Sequence, residues 1–102
     1  MFYTYMLRCE DNSIYTGMTS DLKRRFEEHK AKNIKSAKYT ITHSVLKIEA
    51  AWKSETRSTA SKLEFHLKKL TKLQKESIIK DDSNFAMYLR EKINCEEYKR
   101  EI

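Results

Sequence analysis

At 102 residues, with 39% hydrophobic and 11% aromatic side chains, the chain has room for one domain with a modest core and not for two. Lys and Arg outnumber Asp and Glu by 21 to 15, a formal charge of +6 that suits a polyanionic partner. No apolar run approaches the ~18 residues of a membrane span and no secretory leader is visible; with Cys9 and Cys95 far apart and lacking further ligands at metal spacing, the expectation is a cytoplasmic protein without a membrane span or zinc site.

Residues 2–8 alternate aromatic, Thr and apolar positions, the composition of a strand. Glu10, Asp11, Asn12 and Ser13 form a turn cluster, and residues 14–19 resume as a second strand, so the pair reads as a β-hairpin. A plain two-residue turn would put Tyr5 and Tyr15 on opposite faces. A three-residue loop with Asn12 in the left-handed region pairs Tyr5 with Gly17 and brings both tyrosines to one face. Gly17 is the only glycine in the chain. Inside a strand it marks a bulge or the close approach of another group, so it is expected to be structural.

Thr19 or Ser20 is placed to cap a helix over residues 21–32, with Asp21 in its first turn. Its apolar stripe is Leu22 and Phe26, and Arg25 and His29, one turn apart, lean beside that stripe toward the hairpin. Lys23, Arg24, Glu27 and Glu28 form the solvated side. Residues 33–44 read as a polar loop. Residues 45–52 read as a third strand with Leu46, Ile48, Ala50 and Trp52 on its buried face. A second helix, capped within residues 54–58 and running to Leu70, carries the stripe Ala60, Leu63, Leu67, Leu70 with Glu64 beside it. Thr71 with Gln74 matches a capping box for a short third helix. Phe85, Met87, Tyr88, Leu89 and Ile93 suggest a last helix before a charged, fraying end.

The charge is uneven. Residues 81–102 hold six acids and four bases, a net −2, which leaves +8 on residues 1–80. The basic partner surface therefore belongs to the first eighty residues, and an acidic end folding over it as a regulator is a second expectation. Whether Cys9 and Cys95 pair stays open at this level.

Taken singly, each notable residue has a plain structural reading. Tyr5 suits a half-buried strand, Arg25 a surface cation, and Glu64 an i, i+4 partner for Lys68. Their joint order is another matter. Strand, turn, strand, helix, strand, helix, with Tyr5, Tyr15, Gly17, Arg25, His29 and Glu64 in these places, resembles the GIY-YIG nuclease family, and most of all its small stand-alone bacterial branch. The two family motifs read Tyr3-Thr4-Tyr5 and Tyr15-Thr16-Gly17, the family arginine falls on Arg25, the following His or Tyr on His29, and the metal-binding glutamate on Glu64. Ala37-Lys38-Tyr39-Thr40 resembles a run common in that branch. The sequence departs at Tyr3, where the first motif begins with glycine, and at Met18, where some excision-repair members carry a lysine.

The resemblance implies an α+β fold: a three-stranded antiparallel sheet flanked by helices in the order β-β-α-β-α-α, with a catalytic domain over 1–80 and a helical extension over 81–102. It also implies hydrolysis of phosphodiesters in DNA, ahead of RNA, in branched or single-stranded forms, with repair or recombination as the setting. Tyr15 would take a proton from the attacking water, Arg25 hold a phosphate oxygen, and Glu64 anchor Mg²⁺ or Mn²⁺. Tyr5 would hydrogen-bond within the network, and His29 would orient Tyr15 or shuttle a proton. Lys35, Lys38, Lys68 and Lys69 supply the nucleic-acid surface. Two other functions fit the residues: a binding module on the same fold without chemistry, and a protein adaptor using an apolar helix face over residues 85–93.

Overall fold

The computed structural model describes residues 1–32 and 37–102. Strands β1 (Phe2–Cys9), β2 (Ile14–Thr19) and β3 (Val45–Ser54) form one antiparallel sheet, and a two-residue β4 (Lys99–Arg100) adds a fourth strand, in the order β2-β1-β3-β4. The sheet thus has four strands instead of the expected three. Two charged residues carry no alternating pattern, and only pairing of Arg100 with Trp52 and of Lys99 with Lys53 makes them a strand.

The hairpin takes the three-residue loop. Asn12 has φ 71°, its N–H donates to the Cys9 carbonyl at 2.9 Å, and Tyr5 pairs with Gly17. Asp11 steadies the turn by accepting the Ser13 N–H at 3.0 Å.

The β1–β3 register shifts between Met6 and Leu7 and again between Arg8 and Cys9. Each bulge turns the strand over by one residue, so strict alternation fails in β3. Leu46, expected inside, is 49% exposed, whereas Val45, Ala50, Ala51 and Trp52 are all buried. The reversal gives the sheet two covered faces. Met6, Ala50 and Trp52 pack with Leu63, Leu67, Ile78, Phe85, Leu89 and Ile93 from the C-terminal half. Tyr5, Leu7, Cys9, Val45 and Ala51 pack with Tyr15, Leu22, Phe26 and Tyr39 on the other side.

Helix α1 (Leu22–Lys30) is capped by Asp21, whose carboxylate accepts the Arg24 N–H at 3.1 Å, so the cap lies one residue beyond the expected Ser20. A short helix α2 (Lys38–Thr42) occupies part of the expected loop; five residues are too few to show a stripe. Helix α3 (Arg57–Lys68) starts at Thr56 and buries Ala60, Leu63 and Leu67. Helix α4 (Lys72–Lys80) has the full capping box between Thr71 and Gln74.

The end of the chain is neither a single helix nor frayed. Helix α5 (Ser83–Leu89) is followed by a 3₁₀ turn (Cys95–Glu97) and β4. Tyr98 donates to the Thr59 carbonyl at 2.7 Å, Arg100 donates to the carbonyls of Ile78 and Ile79 at 3.1 Å, and the Glu101 N–H donates to the Ala51 carbonyl at 2.8 Å. One expectation falls with this arrangement. The apolar residues Phe85, Leu89 and Ile93 are 5%, 1% and 5% exposed, so they offer no adaptor face. The acidic end is anchored on the β3 edge, with Glu101 beside Tyr3 and the start of α1. Cys9 and Cys95 are free thiols. Among the described residues no helix is long and apolar enough to cross a membrane.

Candidate active site

The hairpin register places Tyr5 opposite Gly17, with Tyr15 on the same face. The absent side chain of Gly17 is what makes room: a Cβ there would lie 2.6 Å from Tyr5 Oη, 2.8 Å from Tyr5 Cζ and 3.0 Å from Tyr15 Cε2. Gly17 does not have a positive φ. It is required for space, not for backbone freedom.

The Asp21 cap sets the phase of α1, which brings His29 under the hairpin. His29 is fully buried, and its Nε2 lies 2.8 Å from Tyr5 Oη. Its Nδ1 lies 2.6 Å from Thr40 Oγ1, and Thr40 donates to the Ala37 carbonyl at 2.9 Å. The Tyr15 ring sits 5.4 Å from His29 and 6.4 Å from Tyr5, and stacks on Tyr39 at 5.7 Å. The expected link between His29 and Tyr15 is therefore a ring contact, and the hydrogen bond goes to Tyr5. Tyr5 points its hydroxyl inward because it is the residue facing the glycine, whereas Tyr15 is half-buried.

The Arg25 charge bears on Tyr5, and its Nη1 pairs with Glu28 at 3.0 Å. Glu28, expected on the solvated side, is thus drawn into the site. Helix α3 lies against β1 and β2 and contributes Glu64, whose charge bears on both tyrosines. Lys68 Nζ lies 3.3 Å from Glu64 Oε2, the i, i+4 pair anticipated from sequence. Beside these residues a cleft of about 410 Å³ is lined by Met18, Thr19, Ser20, Arg24, Arg25, Glu28 and Arg57. Lys38 and Lys68 are exposed, and Lys69 Nζ sits 4.6 Å over the exposed Phe65 ring. Lys35 lies outside the described residues.

The electrostatics follow from burial. Desolvation pushes the Tyr5 phenol well above its ordinary value, with Tyr15 adding to the effect and Arg25 opposing it. Burial raises Tyr15 as well, against the pull of Lys68. Both are neutral phenols near pH 7. Burial, then the Arg25 charge, lowers His29 from 6.5 to about 4. The unfolded chain takes up this proton as pH falls below about 6.5 while the folded chain refuses it down to about 4. We therefore expect stability to be fully present above that window and to fall by on the order of 3 kcal/mol across it. Urea unfolding at pH 7, 5 and 4 checks this, and a His29→Gln variant should flatten that part of the profile.

A divalent cation fits the donor set. Among the described residues no group of three His, Cys, Asp or Glu side chains converges. Glu64 offers one carboxylate, its Oε2 3.3 Å from Lys68 Nζ. A single carboxylate suits an ion of the magnesium type, which keeps waters and takes phosphate oxygens.

A family profile described as the GIY-YIG catalytic domain matches residues 1–77. The chain belongs to the GIY-YIG nuclease family. Among GIY-YIG relatives, a UPF0213 protein of Fusobacterium nucleatum is 49% identical over 84 residues, 82% of each chain, and one of Cupriavidus necator is 40% identical over 76 residues, covering 74% of this chain and 80% of that one. The solution NMR structure of a UPF0213 protein from Bacillus halodurans is similar with a TM-score of 0.50 at 31% identity, covering 87% of this chain and 98% of that chain.

Sequence alone does not reveal the parts of the candidate site that are joined only in space. Thr40 lies eleven residues beyond its histidine, and Arg24 and Arg57 meet at the cleft from different helices. The run Ala37 to Thr40 is a signal for Thr40, whereas Arg24 and Arg57 read as solvated helix residues.

Proposed function

We propose that the chain is a metal-dependent endonuclease that hydrolyses phosphodiester bonds in DNA, with its chemistry in residues 1–80 and residues 81–102 completing the same body. The observation that carries this reading is the meeting of Tyr5, Tyr15, Arg25 and His29 beside an arginine-lined cleft, with the charge of Glu64 within reach of both tyrosines. Arg25 holds a non-bridging phosphate oxygen and stabilises the charge that develops there. Tyr15 accepts the proton of the attacking water once the positive charges of the bound state lower its raised pKa. His29, neutral and buried, keeps the Tyr5 hydroxyl in place, and Tyr5 in turn orients Arg25. Glu64 would hold Mg²⁺ or Mn²⁺, which, when bound, neutralises the scissile phosphate and the leaving oxygen. Arg24, Arg57, Lys38, Lys68 and Lys69 guide the nucleic acid by charge.

The test is incubation of the purified protein with labelled branched, single-stranded and duplex DNA, and with RNA, in Mg²⁺ or Mn²⁺. We expect DNA cleavage, with Tyr15→Phe and Glu64→Gln each slowing it by roughly 100-fold. An uncut set of substrates, or variants as fast as the parent, overturns the proposal. The ordinary Glu64–Lys68 pair favours a second reading, a binding module without chemistry. That reading predicts salt-sensitive DNA binding that needs no divalent cation and survives Glu64→Gln.

A further inference from the structure

The buried polar chain beneath the site has its protons assigned by elementary counting. The Ala37 carbonyl only accepts. It lies 2.9 Å from Thr40 Oγ1, a hydrogen-bonding separation, so the one hydroxyl proton of Thr40 is placed there. Thr40 Oγ1 must then accept from its other close neighbour, His29 Nδ1 at 2.6 Å, which makes Nδ1 the protonated nitrogen. The neutral imidazole has a single N–H, so Nε2 is an acceptor, and Tyr5 Oη at 2.8 Å donates to it. Arg25, whose charge also bears on the phenol, has no acceptor. Tyr5 therefore gives its proton inward and offers only lone pairs to the guanidinium.

The opposite tautomer is the poorer fit. With Nε2 protonated, Thr40 would donate to Nδ1, and its oxygen would face at 2.9 Å a carbonyl that the Thr40 and Ile41 N–H groups already serve at 3.0 and 3.3 Å. The Tyr5 hydroxyl would lose its acceptor and turn its proton toward a cation, an unsatisfied polar group in a buried place, since Tyr5, His29 and Thr40 are all almost wholly inaccessible to water.

We propose that Thr40 is a positioning residue that locks His29 in the Nδ1–H tautomer and thereby fixes the direction of the whole chain, Tyr5 to His29 to Thr40 to the Ala37 carbonyl. The proposal deepens the nuclease reading, since its consequence is that Tyr5 serves the site as an acceptor that aims Arg25, not as a donor to phosphate. The same logic explains why α2 matters although none of its residues lies in the cleft: it carries Thr40 and the carbonyl that orients it.

The tautomer can be read without any activity. In ¹⁵N-histidine-labelled protein, NMR of the His29 ring should report a protonated Nδ1 and a bare Nε2 in the parent and in Thr40→Ser. Thr40→Val keeps the shape but removes the acceptor, and should move the ring to Nε2–H. A parent ring protonated at Nε2, or a Thr40→Val ring still protonated at Nδ1, overturns the proposal. This arm stands even if no nucleic acid is cut, so it fails separately from the nuclease reading. Thr40→Ser also guards against misfolding of the valine variant, because loss of the Nδ1–H tautomer in a folded serine variant counts against the lock. Where DNA is cut, Thr40→Val should lower kcat tenfold or more with KM within about twofold, as a wrong histidine tautomer does elsewhere, and Thr40→Ser should restore it. A fall confined to KM, or an equal fall in the serine variant, also overturns it.

Discussion

Replacing Gly17 with alanine is expected to leave a folded protein with almost no cleavage activity, a loss of roughly 1,000-fold or more if proton transfer and charge stabilisation fail together. The added methyl would sit 2.6 Å from Tyr5 Oη and 3.0 Å from Tyr15 Cε2. A side-chain tip can often step aside, but this one is held by His29 at 2.8 Å inside a ring that is 1% exposed. Relief requires the Tyr5 ring to swing away, which breaks the bond to His29 and releases Arg25. The stability cost should be about 1–3 kcal/mol, typical of overpacking, measured by thermal or urea unfolding. A double-mutant cycle with Tyr5→Phe isolates the cause. Removing the hydroxyl deletes the closest contact, so the alanine should cost less stability in that background. Simple additivity would show that the contact is not responsible.

The second large effect is on stability. Arg8, next to the end of β1, donates to Glu49 Oε2 at 2.8 and 3.0 Å, to Glu76 Oε2 at 2.6 Å and to the Asn12 carbonyl at 3.1 Å. It joins the hairpin turn, the bulged part of β3 and α4 through one guanidinium whose side chain is 12% exposed. Arg8→Met leaves the two carboxylates in a poorly solvated place with only exposed lysines, Lys47 at 3.3 Å from Glu49 and Lys72 at 3.1 Å from Glu76. We expect a loss of about 3 kcal/mol, the lower end for breaking a buried pair because Glu76 is partly exposed. Converting Glu49 and Glu76 to leucine in the same chain should recover most of it, since an apolar triad has no charge to desolvate. The pH dependence carries a signature. Arg8 first, and Lys72 with it, lowers Glu76 from 4.5 to about 2, so its contribution is present above 4.5 and is lost as pH falls toward 2. In Arg8→Met this slope should flatten, while the His29 window at higher pH should remain.

What could be read from sequence was whatever local chemistry dictates. The turn cluster Glu10 to Ser13 placed the hairpin and narrowed its register to two, of which Asn12 at φ 71° selects the one that pairs Tyr5 with Gly17. The helical spacing of Ala60, Leu63 and Leu67 named the buried face of α3, and Thr71 with Gln74 named the start of α4. The features that escaped depend on what is opposite in space. A period-two reading of β3 cannot see that register shifts near Glu49 and Leu46 invert its faces. A two-residue strand such as Lys99–Arg100 exists only because β3 is there to receive it. In the candidate site, the resemblance to the GIY-YIG family pointed to Tyr5, Tyr15, Gly17, Arg25, His29 and Glu64. The partners that orient them, Thr40 for His29 and Glu28 for Arg25, carry no such mark, because an alcohol or a carboxylate on a helix looks like solvated surface until its neighbour is known.

The placement of the final residues bears on how the protein behaves in a crowded cell. A sheet edge is a template on which a second chain can continue the ladder. Here the ten-residue strand Val45–Ser54 has part of that edge occupied by the chain's own Lys99, Arg100 and Glu101, with the Arg100 guanidinium 5.2 Å over the Trp52 ring and bonded to Asp82 at 2.9 Å. Cutting the chain ahead of Tyr98 would uncover the Ala51 carbonyl and the indole together. The shortened protein should then self-associate at concentrations where the intact one stays dispersed, which makes these last charged residues a guard against aggregation.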